Sequence, residues 1–408
     1  MTSNRKIITS CYIFVDIGEA PLLAGRYMID GQGLGHFTYG QSYVENPAAF
    51  PLDPINLPFT DPLQIFHPLN GKGVFGVLSD STPDNWGRRL ISSIHRSSPQ
   101  NEVEWVLASR GNGVGCIVAN AAKSSPQPKK ALHSFPEIEE FFILADRFEA
   151  GKEIPEEMLH LIEFGSSMGG LRPKLTITHE GKEWIAKINR VDDKFDISRV
   201  EYATMQMAKK AGIIIPDMQL KEINGRPILL VERFDRNVPS RKLHYISAHS
   251  LINAYKISEK DASRNYSYMG IADIAKRITE NPIEEQVQLY RRMVFNVLTG
   301  NSDDHMKNHG FLMTDYTKKL YSLSPAFDVL PHLDASQRLQ SIGIGENGRE
   351  ASIENLLSSI GRFQLTQKQA GIILQEVQGV VKDWQIYYKK ASVPARDINI
   401  LKKCFLMG

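Results

Sequence analysis

The spacing of apolar residues changes along the chain, from short runs bounded by turn residues in the first part to longer runs of helical period after about residue 240. Tyr12 to Asp16 and Leu22 to Ile29 read as strands, and Gly31, Gly33 and Gly35 mark a turn between strands. Pro47, Pro51, Pro54, Pro58 and Pro62 exclude regular helix over their stretch, because each fixes φ and lacks an N–H. A helix is expected from near Asp84 through Trp86, Leu90 and Ile94, and another over Val103 to Ser109, before a turn at Gly111, Gly113 and Gly115. Farther on, the pattern predicts a helix from Ile138 to Ala150. Strands follow near Leu175 to Thr178, Glu183 to Lys187 and Ile228 to Val231, with one helix between them, Val200 to Ala211, ended by Gly212. The remainder reads mainly as helix: Ile271 to Ile278, Ile283 to Gly300, Ala351 to Ser359 and Gln367 to Tyr388.

Residues 123 to 135, KSSPQPKKALHSF, combine Ser, Pro and Lys without apolar periodicity and read as a linker. The expected domains are therefore 1–125, 126–235 and 236–408. Hydrophobic residues at 42% and charged residues at 23% leave neither disorder nor a coiled coil as the main state. With 48 Lys+Arg against 46 Asp+Glu, the formal charge of +2 argues against a protein whose main work is neutralising nucleic-acid phosphate. Cys11, Cys116 and Cys404 lie far apart, with neither zinc-ligand spacing nor an even disulfide framework; a reducing, cytoplasmic location follows as the expectation. Arg5 and Lys6 precede a short apolar stretch, but Thr9 and Ser10 interrupt it and Asp16 ends it, so a first strand is a simpler account than a signal peptide. No run approaches the roughly 18 apolar residues of a membrane span.

The sharpest chemical pattern is Asn301-Ser302-Asp303-Asp304-His305-Met306-Lys307-Asn308, directly after the apolar stretch Met293 to Leu298. Asp303 precedes Asn308 by five positions, the spacing of a base aspartate and a metal-binding asparagine in phosphoryl-transfer loops; Asp304, four before Asn308, fits less well. A carboxylate must accept the proton of an attacking hydroxyl, and a neutral oxygen must help hold a metal ion. An Asp/Asn-rich cap and turn would give the same letters. Asp328, in Ser324-Pro325-Ala326-Phe327-Asp328-Val329, follows the short strand Leu320 to Leu323 and suits the main magnesium ligand, or else simply turns the chain before Pro331. Upstream, Gly165-Ser166-Ser167-Met168-Gly169-Gly170 and the following Lys174 could bring backbone N–H groups close to phosphate oxygens, although a surface turn reads equally well. Lys187, amid Trp184, Ile185, Ala186 and Ile188, fits a lysine on a strand that grips α- and β-phosphates; Glu201, opening the next helix, is its candidate partner. Leu229 to Arg236 passes from buried strand to charged residues, where a hinge for adenine would lie.

Taken together these segments resemble the HipA family of bacterial toxin kinases. The matching blocks are GSSMGGLRPK at 165, WIAKIN at 184, VEYATMQMAKKAGI at 200, VERFDR at 231, FNVLTGNSDDHMKNHGF at 295 and SPAFDVLP at 324. FTYGQSYVENP at 37, STPDNWGRRL at 81 and the GNGVGC turn at 111 look like the accessory domain of that family. The resemblance implies an α+β, two-lobed protein-kinase-like fold, with a β-rich N-lobe, a helical C-lobe and an N-terminal mixed α/β accessory domain. It implies ATP and Mg2+ as cofactors, Asp303 as catalytic base, Asn308 and Asp328 as magnesium ligands and Lys187 on the ATP phosphates. Adenine would bind at the hinge backbone of Glu232 and Phe234. Gly165, Ser166, Ser167, Gly169, Gly170, Lys174, Glu201, Asp235, His305 and Lys307 would complete the nucleotide site. Ser167 would be the autophosphorylated serine, its added charge of about −1.5 to −2 disfavouring a loop that cradles triphosphate. Leu171, Ser302 and Phe327 are mild departures from the family pattern. Members usually pair with a HipB-like DNA-binding antitoxin, through which DNA is met only indirectly and a dimer can form, and the best-known act on aminoacyl-tRNA synthetases. Two other readings stand beside this one: a catalytically silent ATP-binding module acting with an antitoxin, and a metal-dependent hydrolase using Asp303, Asp304 and His305.

Overall fold

The computed structural model describes residues 6–60, 64–68, 73–83, 85–94, 98–126, 132–165, 172–237, 241–252, 266–334 and 338–406. Residues 166–171 of the glycine-rich segment, including Ser166, Ser167, Gly169 and Gly170, lie outside the described residues, as do residues 127–131 of the expected linker and Asp84. The chain divides into two compact units: Met1–Ala186 with Asp235–Ile246 and Met313–Lys319, and Lys187–Phe234 with Ser247–Leu312 and Leu320–Gly408.

In the first unit, β1 (Ser10–Val15), β2 (Leu22–Ile29), β3 (Gly35–Tyr39) and β4 (Ile117–Asn120) form an antiparallel sheet in the order β3-β2-β1-β4. The β2–β3 turn forms because Asp30 Oδ1 accepts the N–H groups of Gln32 and Leu34. Among the described residues, four helices belong to this unit before β4: α1 (Gln41–Val44), α2 (Gly76–Asp80), α3 (Asn85–Ile94) and α4 (Glu102–Ala108). Asn101 caps α4 by accepting from Glu104 N–H. Gly113 meets this layer so closely that a Cβ there would stand 2.1 Å from the Ser81 carbonyl oxygen, so only glycine fits. Beyond it, β5 (His133–Ser134) pairs in parallel with β6 (Lys174–His179), with α5 (Ile138–Glu149) and α6 (Leu159–Gly165) between them in sequence.

Strand β7 (Lys182–Ile188) passes from the first unit to the second after Ala186. The second unit continues with α7 (Ile197–Lys210) and the antiparallel pair β8 (Met218–Ile223) and β9 (Arg226–Glu232). Among the described residues three short strands come next in sequence, β10 (Arg236–Asn237), β11 (Arg241–Lys242) and β12 (His244–Ser247), which belong to the first unit as far as Ile246. Then come α8 (Ala248–Ile252), α9 (Tyr268–Ile278), α10 (Pro282–Thr299), β13 (Gly310–Asp315) and β14 (Leu320–Leu323). The C-terminal part holds α11 (Ile353–Ser358), α12 (Gln367–Val381), α13 (Trp384–Lys390) and α14 (Ala395–Leu401). Tyr268, Tyr290, Phe295, Phe311 and Tyr388 are fully buried in this unit. A sheet-rich part and a helical part thus make an α+β fold.

Two expectations need correction. The helix predicted over Gln367 to Tyr388 is two helices, broken at Lys382 and Asp383, where Asp383 N–H turns back to Val380 O. Val377, Val381, Trp384 and Tyr388 are all buried, so the apolar period runs straight through the break and hides it. The break seats Trp384 on the Phe405 ring, stacked at 4.1 Å. Strand β8 was absent from the sequence reading because its residues are almost all half-buried, which leaves no alternation to read.

Candidate active site

The site grows from the junction of β7 and α7. Along β7 the buried residues are Trp184, Ala186 and Ile188, so the period of two turns Lys187 to the other face. Asn189 then ties the chain to the start of α7. Its Nδ2 donates to Asp196 Oδ1 at 2.9 Å, and its Oδ1 accepts the Ser198 N–H at 2.9 Å. Asp196 caps α7 through the Arg199 N–H, while its own N–H donates to Asp397 Oδ2. With strand and helix pinned in this way, Glu201 comes round on the first turns of α7, buried, with Oε1 2.6 Å from Lys187 Nζ.

Asp328 completes the group, its Oδ1 lying 3.0 Å from Lys187 Nζ. Burial alone would lower the Lys187 pKa, but the Asp328 and Glu201 carboxylates override it and hold the ammonium above its ordinary range. Asp328 takes a left-handed backbone, φ +59°, which costs a non-glycine residue on the order of 1 kcal/mol and is met at functional sites. Its neighbours hold it there. Ala326 N–H donates to Ile214 O at 2.8 Å, the Phe327 ring lies 5.5 Å from that of Phe234, and Val329 and Leu330 are buried.

The loop bearing Asp303 and Asn308 begins where α10 ends on Gly300, a left-handed C-cap at φ +70°. Asn301 turns back so that its N–H meets Asn296 O at 2.9 Å. The two neighbouring aspartates then part. Asp303 is exposed, whereas Asp304 is 2% exposed and its Oδ2 accepts from the Tyr268 hydroxyl and lies 2.8 Å from His309 Nε2. Burial would raise the Asp304 pKa; the His309 charge and the hydrogen bonds from His309 and Tyr268 outweigh it and hold the carboxyl below its usual range. Asn296 Nδ2 donates to the same Tyr268 oxygen at 2.9 Å. Met306–Asn308 form one tight turn with Met306 fully buried, and Asn308, Asp304, Arg292, Phe327 and Val329 line one cavity. Buried Arg292 donates to Ser324 O at 2.6 Å, and its Nε and Nη1 and His309 Nδ1 have no hydrogen-bond partner among the described residues.

The structure therefore brings Lys187, Glu201 and Asp328 into direct contact, and sets Asn308 on the same cavity as the residues flanking Asp328. Asp303, His305 and Lys307 stand on the Asn308 loop, Asp303 and Lys307 exposed and His305 half-buried. Glu232 closes β9, its N–H donating to Asp217 O at 2.8 Å, and Phe234 lies two residues on. Lys174 and Asp235 belong to the first unit: Lys174 is buried at the start of β6, and Asp235 Oδ2 accepts from Gly115 N–H at 2.7 Å and from Arg236. Gly165 ends α6. Asp304 turns inward and Asp303 outward, so these neighbours do not converge on one ion as a hydrolase would require. Sequence reasoning missed Tyr268, Asn296 and Arg292, since nothing in their local pattern separates them from ordinary helix residues.

The oxygen donors of Asn308 and Asp328, hard ligands both, suit magnesium. Residues 166–384 match the family described as HipA-like C-terminal domain. The chain belongs to that family. The match takes in Lys187, Glu201, Asp303, Asn308 and Asp328. Among curated proteins, a "Putative kinase" of Haemophilus influenzae is 27% identical over 182 residues, 40% of this chain and 52% of the relative. The "Serine/threonine-protein kinase toxin HipA" of Shewanella oneidensis is 26% identical over 173 residues, 36% of this chain and 40% of the relative. The chain thus spans about half or less of the curated relatives it matches. HipA in a solved Shewanella oneidensis complex of HipA, HipB and operator DNA superposes with a TM-score of 0.69 at 18% identity, covering 96% of this chain and 94% of that one. This likeness shows the HipA fold. No helix among the described residues is long and apolar enough to cross a membrane.

Proposed function

We propose that this member of the HipA-like family is a serine/threonine protein kinase of the toxin type, moving the γ-phosphate of Mg-ATP to a protein serine in the cytoplasm. One observation carries the reading: a single lysine ammonium held between Glu201 on a helix and Asp328 on a left-handed turn 141 residues away from it in sequence. That is the arrangement in which a lysine grips α- and β-phosphates while a glutamate orients it. Asn308 and Asp328 would hold magnesium, which when bound offsets the charge of the β- and γ-phosphates. Asp303, exposed, takes the proton of the serine hydroxyl as Oγ bonds to the γ-phosphorus; the bond from that phosphorus to the bridging oxygen breaks and ADP leaves with the electron pair. The backbone at Glu232 and Phe234 would contact adenine, with His305 and Lys307 on the nucleotide side. Phosphate on Ser167 would switch the enzyme off by charge repulsion. A HipB-like DNA-binding antitoxin is the proposed partner, on the strength of the assembly seen for the Shewanella protein.

Purified protein given Mg-ATP labelled on the γ-phosphate should acquire labelled phosphoserine, and Asp303→Asn should abolish it. Transfer retained in Asp303→Asn would overturn the base assignment. Nucleotide binding with no transfer, to itself or to lysate proteins, would establish instead a silent ATP-binding module acting with an antitoxin.

A further inference from the structure

In the first unit, three side chains from separate elements come together: His133 on β5, Glu137 in the turn Phe135–Glu137 after it, and His160 on α6. One ligand atom from each lies within 4.8 Å of the other two. His133 Nδ1 stands 2.9 Å from Glu137 Oε1, and the two imidazole rings are 5.6 Å apart. The Glu137 carboxylate is itself oriented, because its Oε2 accepts the Ser134 N–H at 2.6 Å and hydroxyl at 2.8 Å, leaving Oε1 toward the histidine. His160 Nδ1 lies 2.6 Å from the Glu157 carbonyl oxygen, which can only accept. That nitrogen therefore carries the proton, and Nε2 presents its lone pair. A metal-bound histidine has this same arrangement, its second nitrogen donating to a carbonyl or carboxylate. His160 Nε2 is also 3.9 Å from Glu140 Oε2, which supplies a second carboxylate at the rim.

The alternative account is two separate polar contacts. A His133–Glu137 hydrogen bond explains two of the residues, but not why a ring nitrogen of His160 lies within 4.8 Å of the same ligand atoms. An ion pair of His160 with Glu140 would join two exposed side chains across 3.9 Å, a contact worth little in water. We propose that His133, Glu137 and His160 form a binding site for a borderline divalent transition-metal ion of the zinc class, with Glu140 or water completing the coordination. Two imidazoles and a carboxylate with an open position make a zinc donor set, whereas magnesium takes oxygen alone. The bound ion would tie α6 to β5. This proposal is independent of the phosphoryl-transfer reading.

The test uses the full chain without a polyhistidine tag, stripped by chelator and titrated calorimetrically with zinc chloride. One zinc ion per chain should bind, undisplaced by a large excess of magnesium, and should raise the thermal midpoint. His160→Ala, a change at an exposed position, and Glu137→Gln should each weaken zinc at least about tenfold and cancel the thermal shift. No zinc uptake by the wild type overturns the proposal. So does uptake that His160→Ala leaves unchanged, which would locate the ion elsewhere, on a cysteine for example.

Discussion

Two acidic centres in the second unit use their carboxylates in opposite ways. Around Lys187, Glu201 and Asp328 flank one ammonium, and Asp328 keeps 46% of its side chain exposed. Around Asp304, a carboxylate with 3% of its side chain exposed is enclosed by Tyr268 and His309, with Asn296 behind the tyrosine. The first centre leaves oxygen atoms facing outward, where a phosphate-bound cation could reach them. In the second, Oδ2 meets Tyr268 and His309 inside the fold, so it holds the loop rather than a ligand. Carboxylate chemistry is common to both, and solvent access separates their work.

Breaking the first centre should have the largest effect. Lys187→Met leaves Glu201 and Asp328 side by side without their ammonium, and phosphate transfer should fall at least about 100-fold because positioning and charge are most of what the protein contributes. Chemical denaturation should show a stability loss on the order of 2 kcal/mol as well. Unchanged transfer in this variant would dissolve the contrast between the two centres.

The second centre should yield a smaller and different signature. Asp304→Asn exchanges charge-assisted hydrogen bonds for neutral ones and should cost about 2 kcal/mol. Because the folded carboxyl sits below its ordinary 3.8, its stabilisation is complete above that value and is lost as the pH falls below it, through the lower folded value. The stability gap between wild type and Asp304→Asn should therefore narrow as the pH falls below 3.8. A gap that widened over that acid range would mean the carboxylate is not the stabilised form. Smallest of all, Asn296→Ala removes one donor from Tyr268 and should cost about 1 kcal/mol by the same denaturation measurement, while leaving the Lys187 centre intact.

Much of this was legible before the fold was known. Strand β2 and strand β14 fall on Leu22–Ile29 and Leu320–Leu323 as their patterns predict, and the stop of α10 at Gly300 follows from glycine's tolerance of a left-handed cap. The distinction between Asp303 and Asp304 rested on spacing to Asn308 alone. Burial supplies a separate reason, since Asp304 Oδ2 is taken up from inside by Tyr268 and His309. Tyr268 was invisible because it meets Asp304 from 36 positions away, and Asn296 because its amide bonds the Tyr268 hydroxyl 28 positions away.

What the chain's letters determined by themselves were the local matters: helical and strand periods, glycine stops, and the five-residue step from Asp303 to Asn308. These depend on backbone geometry over a few residues. Tertiary structure alone decided that Lys187 meets both Glu201 and Asp328, that Asp304 faces inward, and that His160 turns toward His133 and Glu137. Those outcomes depend on which elements pack together, and no short window of sequence contains both partners.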